Sequence, residues 1–476
     1  MNVDRAKVRK IHMIAVCGTG MGTLAGMLAA SGHAVSGSDQ GIYRPMSDQL
    51  ARAGIALAQG YDPSHVPADA DLVVIGNAVS RDNPEVQAVL ARGLAYGSFP
   101  EVLFEFFIRD RASIVVTGTH GKTTTTAIVA RVLDLAGRDP SFLVGGVLRD
   151  YDASFRLGRG PHFVSEGDEY DSAFFDKEPK FLHYRPDVLV VGNLEFDHGD
   201  IYKDLDQIQG KFVKLVAMLP RDGLIVLGSE SPAAVAATAA APCRVATFGL
   251  TGAEDWTVSR LSVDEDAMEL DVVHSGTPVA TVRASLVGEH NARNLLAAMA
   301  ACEAAGVPPA RFAEAVARFG GVRRRQETRG TARGVVVMDD FAHHPTAVAV
   351  TLGSLLARYS TRPVWAVFEP RSATSRRAVF QADFARCFDD ADRVVLAPLF
   401  APEKIPADQR LDLDRLAADL EGRGRVVARP GSYDAILEYL TESIGAGRGP
   451  APLVVFMSSG GFGDLPARLL ERLREG

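Results

Sequence analysis

The stretch Ser113-Ile-Val-Val-Thr117-Gly118-Thr119-His120-Gly121-Lys122-Thr123-Thr124 decides the fold. Ser113 to Thr117 is a short β-branched run ending at a glycine, the pattern of a buried strand. The threonines after Lys122 open a helix that ends near Gly137. A strand feeding a glycine-rich turn and then a helix points backbone N–H groups and the positive end of a helix dipole at phosphate. Lys122 can reach β- and γ-phosphates there, and the Thr123 hydroxyl can sit on Mg2+. The strict GxxxxGK[ST] spacing needs glycine at 116, where the chain has Val116, so this is the shorter GTxGKT form. A chance Gly-Lys-Thr turn is the bland alternative, and the flanking strand and helix argue against it.

Upstream, His12 to Cys17 reads as a buried strand, Met21 to Ser31 as a helix, and Ala34 to Asp39 and Asp71 to Asn77 as further strands. Strand, crossover, strand at this spacing means a parallel sheet covered by helices. Gly18-Thr19-Gly20-Met21-Gly22, with Ser38 and Asp39 about twenty residues on, mimics a dinucleotide fingerprint. The third glycine comes one position early for GxGxxG. The segment therefore fits either a nucleotide diphosphate or a purely structural turn. A domain boundary is expected in Gly97 to Ser113, where Pro100 and a charged stretch precede the new strand.

Downstream, the strands His162 to Ser165 and Val188 to Val191 each end in acids. Glu166, Asp168, Glu169 and Asp171 follow the first; Glu195, Asp197, His198 and Asp200 follow the second. Ligands of open α/β sheets gather outside the carboxyl ends of strands, and hard carboxylate oxygens suit Mg2+, with an imidazole able to complete its sphere. Asn291 and Asn294 open a helix, where they fit either capping or base binding. Gly321 to Arg325 ends this part, because a fresh strand starts at Gly334 to Met338. The last third has further strands at Pro363 to Phe368, Arg393 to Ala397 and Leu453 to Met457. Asp339-Asp340 with His343-His344, and Glu369-Pro370-Arg371-Ser372, stand at strand ends there. Arg371 suits a carboxylate, which a guanidinium grips with two N–H groups.

The 476 residues, at about 150 per domain, allow roughly three domains. A hydrophobic fraction of 47% with 23% charged is ordinary for a globular chain, which argues against disorder and coiled coil. A net charge of −8 argues against a nucleic-acid surface, which is usually basic. No segment approaches 18 unbroken apolar residues, so membrane insertion is not expected. Four scattered cysteines without CxxC pairing point away from a disulfide framework or structural zinc and toward a cytoplasmic home.

GTHGKTTTT, EGDEYDSAFFDKEPKF, NLEFDHGDIY, GEHNARN and DDFAHHPTA occur in this order, from Gly118 to Ala347. With the glycine-rich start, the chain resembles the Mur ligases over essentially its full length. The resemblance implies three consecutive α/β domains. A Rossmann-like N-terminal domain (1–109) would bind a UDP-sugar, and a central P-loop ATPase-type domain (110–323) would bind ATP and Mg2+. A Rossmann-like C-terminal domain (324–476) would close over the site and bind peptide. It also implies amide-bond formation through an acyl phosphate.

The segments His183 to Pro186, FEPRSATS (368–375) and MSSGGFGD (457–464) look like one branch. That branch joins L-alanyl-γ-D-glutamyl-meso-diaminopimelate to UDP-N-acetylmuramate in cell-wall recycling; the alternative is ligation of L-alanine to the same sugar nucleotide.

Residue by residue, the resemblance puts the UDP-sugar diphosphate on Gly18, Thr19, Gly20, Met21 and Gly22, with Ser38 and Asp39 nearby. It puts ATP on Gly118, Thr119, His120, Gly121, Lys122, Thr123 and Thr124. Asn291 would meet adenine, Asp340 ribose and Arg325 the γ-phosphate. Thr123, Glu166 and His198 would hold the metal, and Arg371 with Ser372 the peptide. Lys122, Glu166, His198 and Arg325 are the expected catalytic residues. Neither Lys211 nor Lys214 falls in register for the carbamoylated lysine of several sister ligases. The resemblance leaves the oligomeric state open. A nucleotide-binding sensor would keep the loop without needing Glu166, His198, Arg325 and Asp340 together.

Overall fold

A computed structural model describes residues 4–42, 46–197, 201–264, 266–447 and 449–475. The chain forms two compact units. The first holds the chain up to Leu194 with Asp206–Phe248 and Ala297–Ala315; the second holds Glu195–Leu205, Gly249–Leu296 and the chain from Val316.

The first unit starts with a five-stranded parallel sheet of β1 (Lys10–Ile14), β2 (Ala34–Asp39), β3 (Ala56–Gln59), β4 (Leu72–Ile75) and β5 (Tyr96–Ser98), in the order β3-β2-β1-β4-β5. β4 is Leu-Val-Val-Ile with every residue buried, as a strand covered on both faces must be.

The same unit carries β6 (Ala112–Thr117), β7 (Ser141–Leu148), β8 (Ala153–Arg156), β9 (His162–Glu166), the hairpin β10 (Asp171–Ala173) and β11 (Asp176–Pro179), then β12 (Val188–Val191), β13 (Leu224–Gly228) and β14 (Arg244–Phe248). Seven of these order as β14-β13-β12-β6-β9-β7-β8, parallel except for β7 with β8. β6, which feeds the glycine-rich turn, therefore lies between β12 and β9, the two strands that end in acids.

In the second unit β15 (Trp256–Val263), β16 (Met268–His274) and β17 (Thr277–Ala284) form an antiparallel meander. A six-stranded sheet follows: β18 (Glu327–Ala332), β19 (Val335–Asp340), β20 (Val364–Phe368), β21 (Arg393–Leu396), β22 (Val426–Ala428) and β23 (Leu453–Met457). Their order is β18-β19-β23-β20-β21-β22, with only β18 antiparallel to its neighbour.

Several boundaries differ from the sequence reading. The first strand stops at Ile14 rather than Cys17, because Ala15 turns to φ 62° and the loop leaves the sheet. The next helix begins at Thr19, two residues before Met21, capped by Gly18. The stretch expected to hold a domain boundary contains a helix. Ser98 and Glu101 form a capping box at the start of Phe99–Leu103, and the wider turn Phe104–Ile108 continues it. Pro100 sits in that helix's first turn, where its missing N–H costs nothing. The fresh strand expected at Gly334 is the second arm of a hairpin. β18 went unread because its Glu-Thr-Arg-Gly-Thr-Ala lacks an apolar run.

Candidate active site

Gly118 and Gly121 shape the turn after β6. Both lie in the left-handed region, at φ 120° and 82°. A Cβ on Gly118 would stand 3.0 Å from the backbone nitrogen and oxygen of Asn193. Asn193, just past β12, staples the turn: its carbonyl accepts from Thr119 N–H (2.7 Å) and its side-chain oxygen from His120 N–H (2.9 Å). The helix Lys122–Leu135 starts directly after, with Thr123 to Thr126 all buried.

Lys122 Nζ donates to the Gly118 carbonyl (2.7 Å) and to both oxygens of Glu169 (2.9 and 3.0 Å). Burial opposes its charge, but Glu169, with Asp168 and Glu166 behind it, outweighs that and holds the ammonium above its ordinary range. Glu169 was read only as part of an acidic cluster, and nothing in the local pattern marked it as the partner of Lys122. Asp168 turns instead to Lys180 (3.0 Å) and to the Tyr170 N–H (3.1 Å).

The Thr123 hydroxyl donates to Glu166 (3.1 Å), whose other oxygen accepts from Gly145 N–H. A hydroxyl and a carboxylate oxygen side by side, one strand apart beside a phosphate loop, are the hard donors that Mg2+ prefers, so these two residues fit that ion. His198, read as the third ligand, lies outside the described residues, as does Asp200. Lys211 and Lys214 both pair with Glu178 at 2.9 Å.

In the first sheet, Gly18 caps the helix Thr19–Ala30, and Gly22 N–H donates back to the Gly18 carbonyl (2.8 Å). Gly22 also has a packing reason, since a side chain there would collide with Met46. Asp39 accepts from Cys17 N–H (2.7 Å) and Gly41 N–H (2.9 Å), so its carboxylate shapes the glycine-rich loop. Ser38 is buried with its hydroxyl on Glu85, which also accepts from Asp62 N–H (3.1 Å) and pairs with His65 (3.0 Å). Glu85 was missed in the sequence, where Asn83-Pro84-Glu85 reads only as a helix start.

In the second unit, Asn291 is buried in the first turn of the helix Glu289–Ala304, donating to the Val287 carbonyl (2.9 Å) and accepting from Asn294 (3.1 Å). Arg325 stands between Arg324 (φ 60°) and Gln326 (φ 47°), both in the left-handed region, and lies 4.8 Å from the Phe341 ring. Asp340 holds that turn by accepting from Gln326 N–H and Ala342 N–H, each at 2.7 Å. His344 caps the helix Pro345–Arg358 through Thr346 N–H (3.3 Å). His343 Nδ1 donates to the Phe341 carbonyl (3.0 Å), and burial pushes its pKa down to about 4. The Ser372 hydroxyl is shared with Ser375 (2.9 Å), and Arg371 lies against the Phe400 ring, 3.7 Å from its centroid.

A phosphate loop flanked by acids at the carboxyl edge of a parallel α/β sheet defines a nucleotide-using enzyme of the P-loop kind. Descriptions of three Mur ligase parts match in order: the Mur ligase family catalytic domain at residues 10–111, the Mur ligase middle domain at 116–302, and the Mur ligase glutamate ligase domain at 324–460. The chain belongs to the Mur ligase family and is an ATP-dependent ligase.

Among its relatives is the UDP-N-acetylmuramate–L-alanyl-γ-D-glutamyl-meso-2,6-diaminoheptandioate ligase of Escherichia coli (strain K12), 41% identical over 98% of each chain. A UDP-N-acetylmuramate–L-alanine ligase of Solidesulfovibrio magneticus is 35% identical over 84% of this chain and 85% of its own. The crystal structure of a murein peptide ligase from Psychrobacter arcticus matches with a TM-score of 0.72 at 34% identity, covering 98% of this chain and 99% of its own. Among the described residues no helix is long and apolar enough to cross a membrane.

Proposed function

We propose that this chain joins L-alanyl-γ-D-glutamyl-meso-diaminopimelate to UDP-N-acetylmuramate at the expense of ATP, in the cytoplasm, as a step of cell-wall recycling. The observation that carries this reading is the near-full-length likeness to the Escherichia coli ligase for that tripeptide at 41% identity, set against identities of 31–35% for alanine ligases. The reading keeps three domains, 1–109 for the sugar nucleotide, 110–323 for ATP and 324–476 for the peptide.

A carboxylate does not condense with an amine in water without a better leaving group. The muramoyl carboxylate attacks the γ-phosphorus of ATP, giving an acyl phosphate and ADP. The peptide amine then adds to the acyl carbon, and phosphate leaves. Two anions must meet in the first step, so preorganised positive charge is where the barrier falls. Lys122 supplies it from the side chain, and the backbone N–H groups of the first turn of the helix Lys122–Leu135 supply it from the main chain. Thr123 and Glu166, with His198, would hold Mg2+, which when bound neutralises phosphate charge. Asn291 and Asp340 would orient adenosine and Arg325 the γ-phosphate; Gly18 to Gly22 with Ser38 and Asp39 would seat the UDP-sugar. Arg371 and Ser372 would face the peptide.

The test measures phosphate release with ATP, Mg2+ and UDP-N-acetylmuramate, adding either the tripeptide or free L-alanine. Turnover is expected with the tripeptide, and Lys122→Ala, still folded by circular dichroism, should lose at least about a hundredfold of it. Turnover with alanine alone would make the chain an alanine-adding ligase; silence with both would point to a sensor.

A further inference from the structure

The carboxylate of Glu369 belongs to none of the groups assigned above, yet it is 0% exposed at the carboxyl edge of the second unit's parallel sheet, directly after β20. An ionised carboxylate that loses water needs donors in its place. The Tyr433 and Ser458 hydroxyls donate to its two oxygens, and Arg371 Nη1 lies 3.5 Å away. Burial, then the hydrogen bond to Glu369, pushes the Tyr433 phenol up to about 12, so it stays a donor throughout the physiological range.

Arg371 is bounded on its other sides as well. Phe400 lies under its guanidinium, and any side chain at Gly460 would collide with Nε, Cδ and Cζ of the arginine. Gly460 is not among the positive-φ glycines, so glycine stands there for space rather than for backbone freedom. Its N–H donates to Ser458 Oγ (2.9 Å), so the hydroxyl that holds Glu369 also holds the floor beneath Arg371. The arginine side chain remains 30% exposed. A planar fork bounded by a buried carboxyl group, and still partly open, is built to read a carboxylate.

We propose that Glu369, Tyr433, Ser458 and Gly460 are positioning residues that hold Arg371 as a carboxylate-reading fork for the acceptor, and that this fork sets the preference for a peptide over a single amino acid. The inference rests on the peptide-ligase reading above. Alanine has one carboxylate, next to its reacting amine, whereas the tripeptide carries others farther along on its glutamyl and diaminopimelyl residues. A fork that grips a distal carboxylate helps only the longer acceptor.

Steady-state kinetics on wild type, Gly460→Ala and Tyr433→Phe test this, with wild-type turnover of the tripeptide as the check on the underlying reading. The KM for tripeptide should rise at least about tenfold in Gly460→Ala, while kcat and the KM values for ATP and UDP-N-acetylmuramate stay within about twofold. Amidating the distal carboxylates should raise the wild-type KM similarly, and Gly460→Ala should then add nothing. An unchanged tripeptide KM in both variants, or equal losses for all three substrates, overturns the inference while leaving the peptide-ligase reading in place. A wild type that turns over alanine alone overturns the reading itself.

Discussion

His343 illustrates what a single residue reports once its surroundings are known. A motif with two adjacent histidines invites a proton-transfer role, but burial pushes His343 down to about 4 while its Nδ1–H is spent on the Phe341 carbonyl. The imidazole is therefore neutral at pH 7 with Nε2 as its acceptor. The same depression has a stability consequence. In the unfolded chain the ring protonates near 6.5, so the folded form is favoured fully above that pH and loses the advantage as the pH falls through about 4. His343→Gln should flatten this slope. Relative to the variant, wild type should lose about 1–2 kcal/mol between pH 7 and 5 in urea titrations; parallel curves would refute it. The placement of Lys122 and Thr123 at the helix start was legible because the loop's glycines set their spacing, and that of Glu166 because it ends a strand. Glu169, Glu85 and Asn193 were not, because each is defined by a partner 47 residues or more away in sequence.

At the scale of elements, the turn from β6 into the helix Lys122–Leu135 is built on glycine. Gly118→Ala would place a non-glycine residue at φ 120° and press its Cβ on the Asn193 backbone. Such strain costs about 1–3 kcal/mol, and relief must come from moving the phosphate loop. Nucleotide titration should show ATP affinity falling at least about tenfold; unchanged affinity would mean the loop does not touch phosphate. Parallel strands buried on both faces, such as β4 and β12, were readable as continuous apolar runs. The antiparallel meander Trp256 to Ala284 went unread, since its exposed face breaks up the apolar signal: β15 runs Trp-Thr-Val-Ser-Arg-Leu-Ser-Val. The helix Phe99–Leu103 was hidden by its own capping signals, a serine and a proline that also suit a domain boundary.

For the whole molecule, the residues proposed for one ATP fall in both units: Lys122 and Thr123 in the first, Asn291, Arg325 and Asp340 in the second. The roles proposed above predict that ATP binding is accompanied by closure, a step that gates many enzymes. Small-angle scattering with ATP and UDP-N-acetylmuramate should show a smaller radius of gyration than the free protein; an unchanged value would argue against closure. The sequence by itself determined the α/β class, the phosphate loop and the order of the acidic strand ends, because those depend on local periodicity and on the φ values that glycine permits. Only the tertiary structure decided which acid faces Lys122, that Asp39 shapes its own loop, and that Arg371 lies on Phe400 above Gly460. The reason is physical: a side chain's charge state and free donors depend on what the fold packs around it, and those neighbours come from distant parts of the chain.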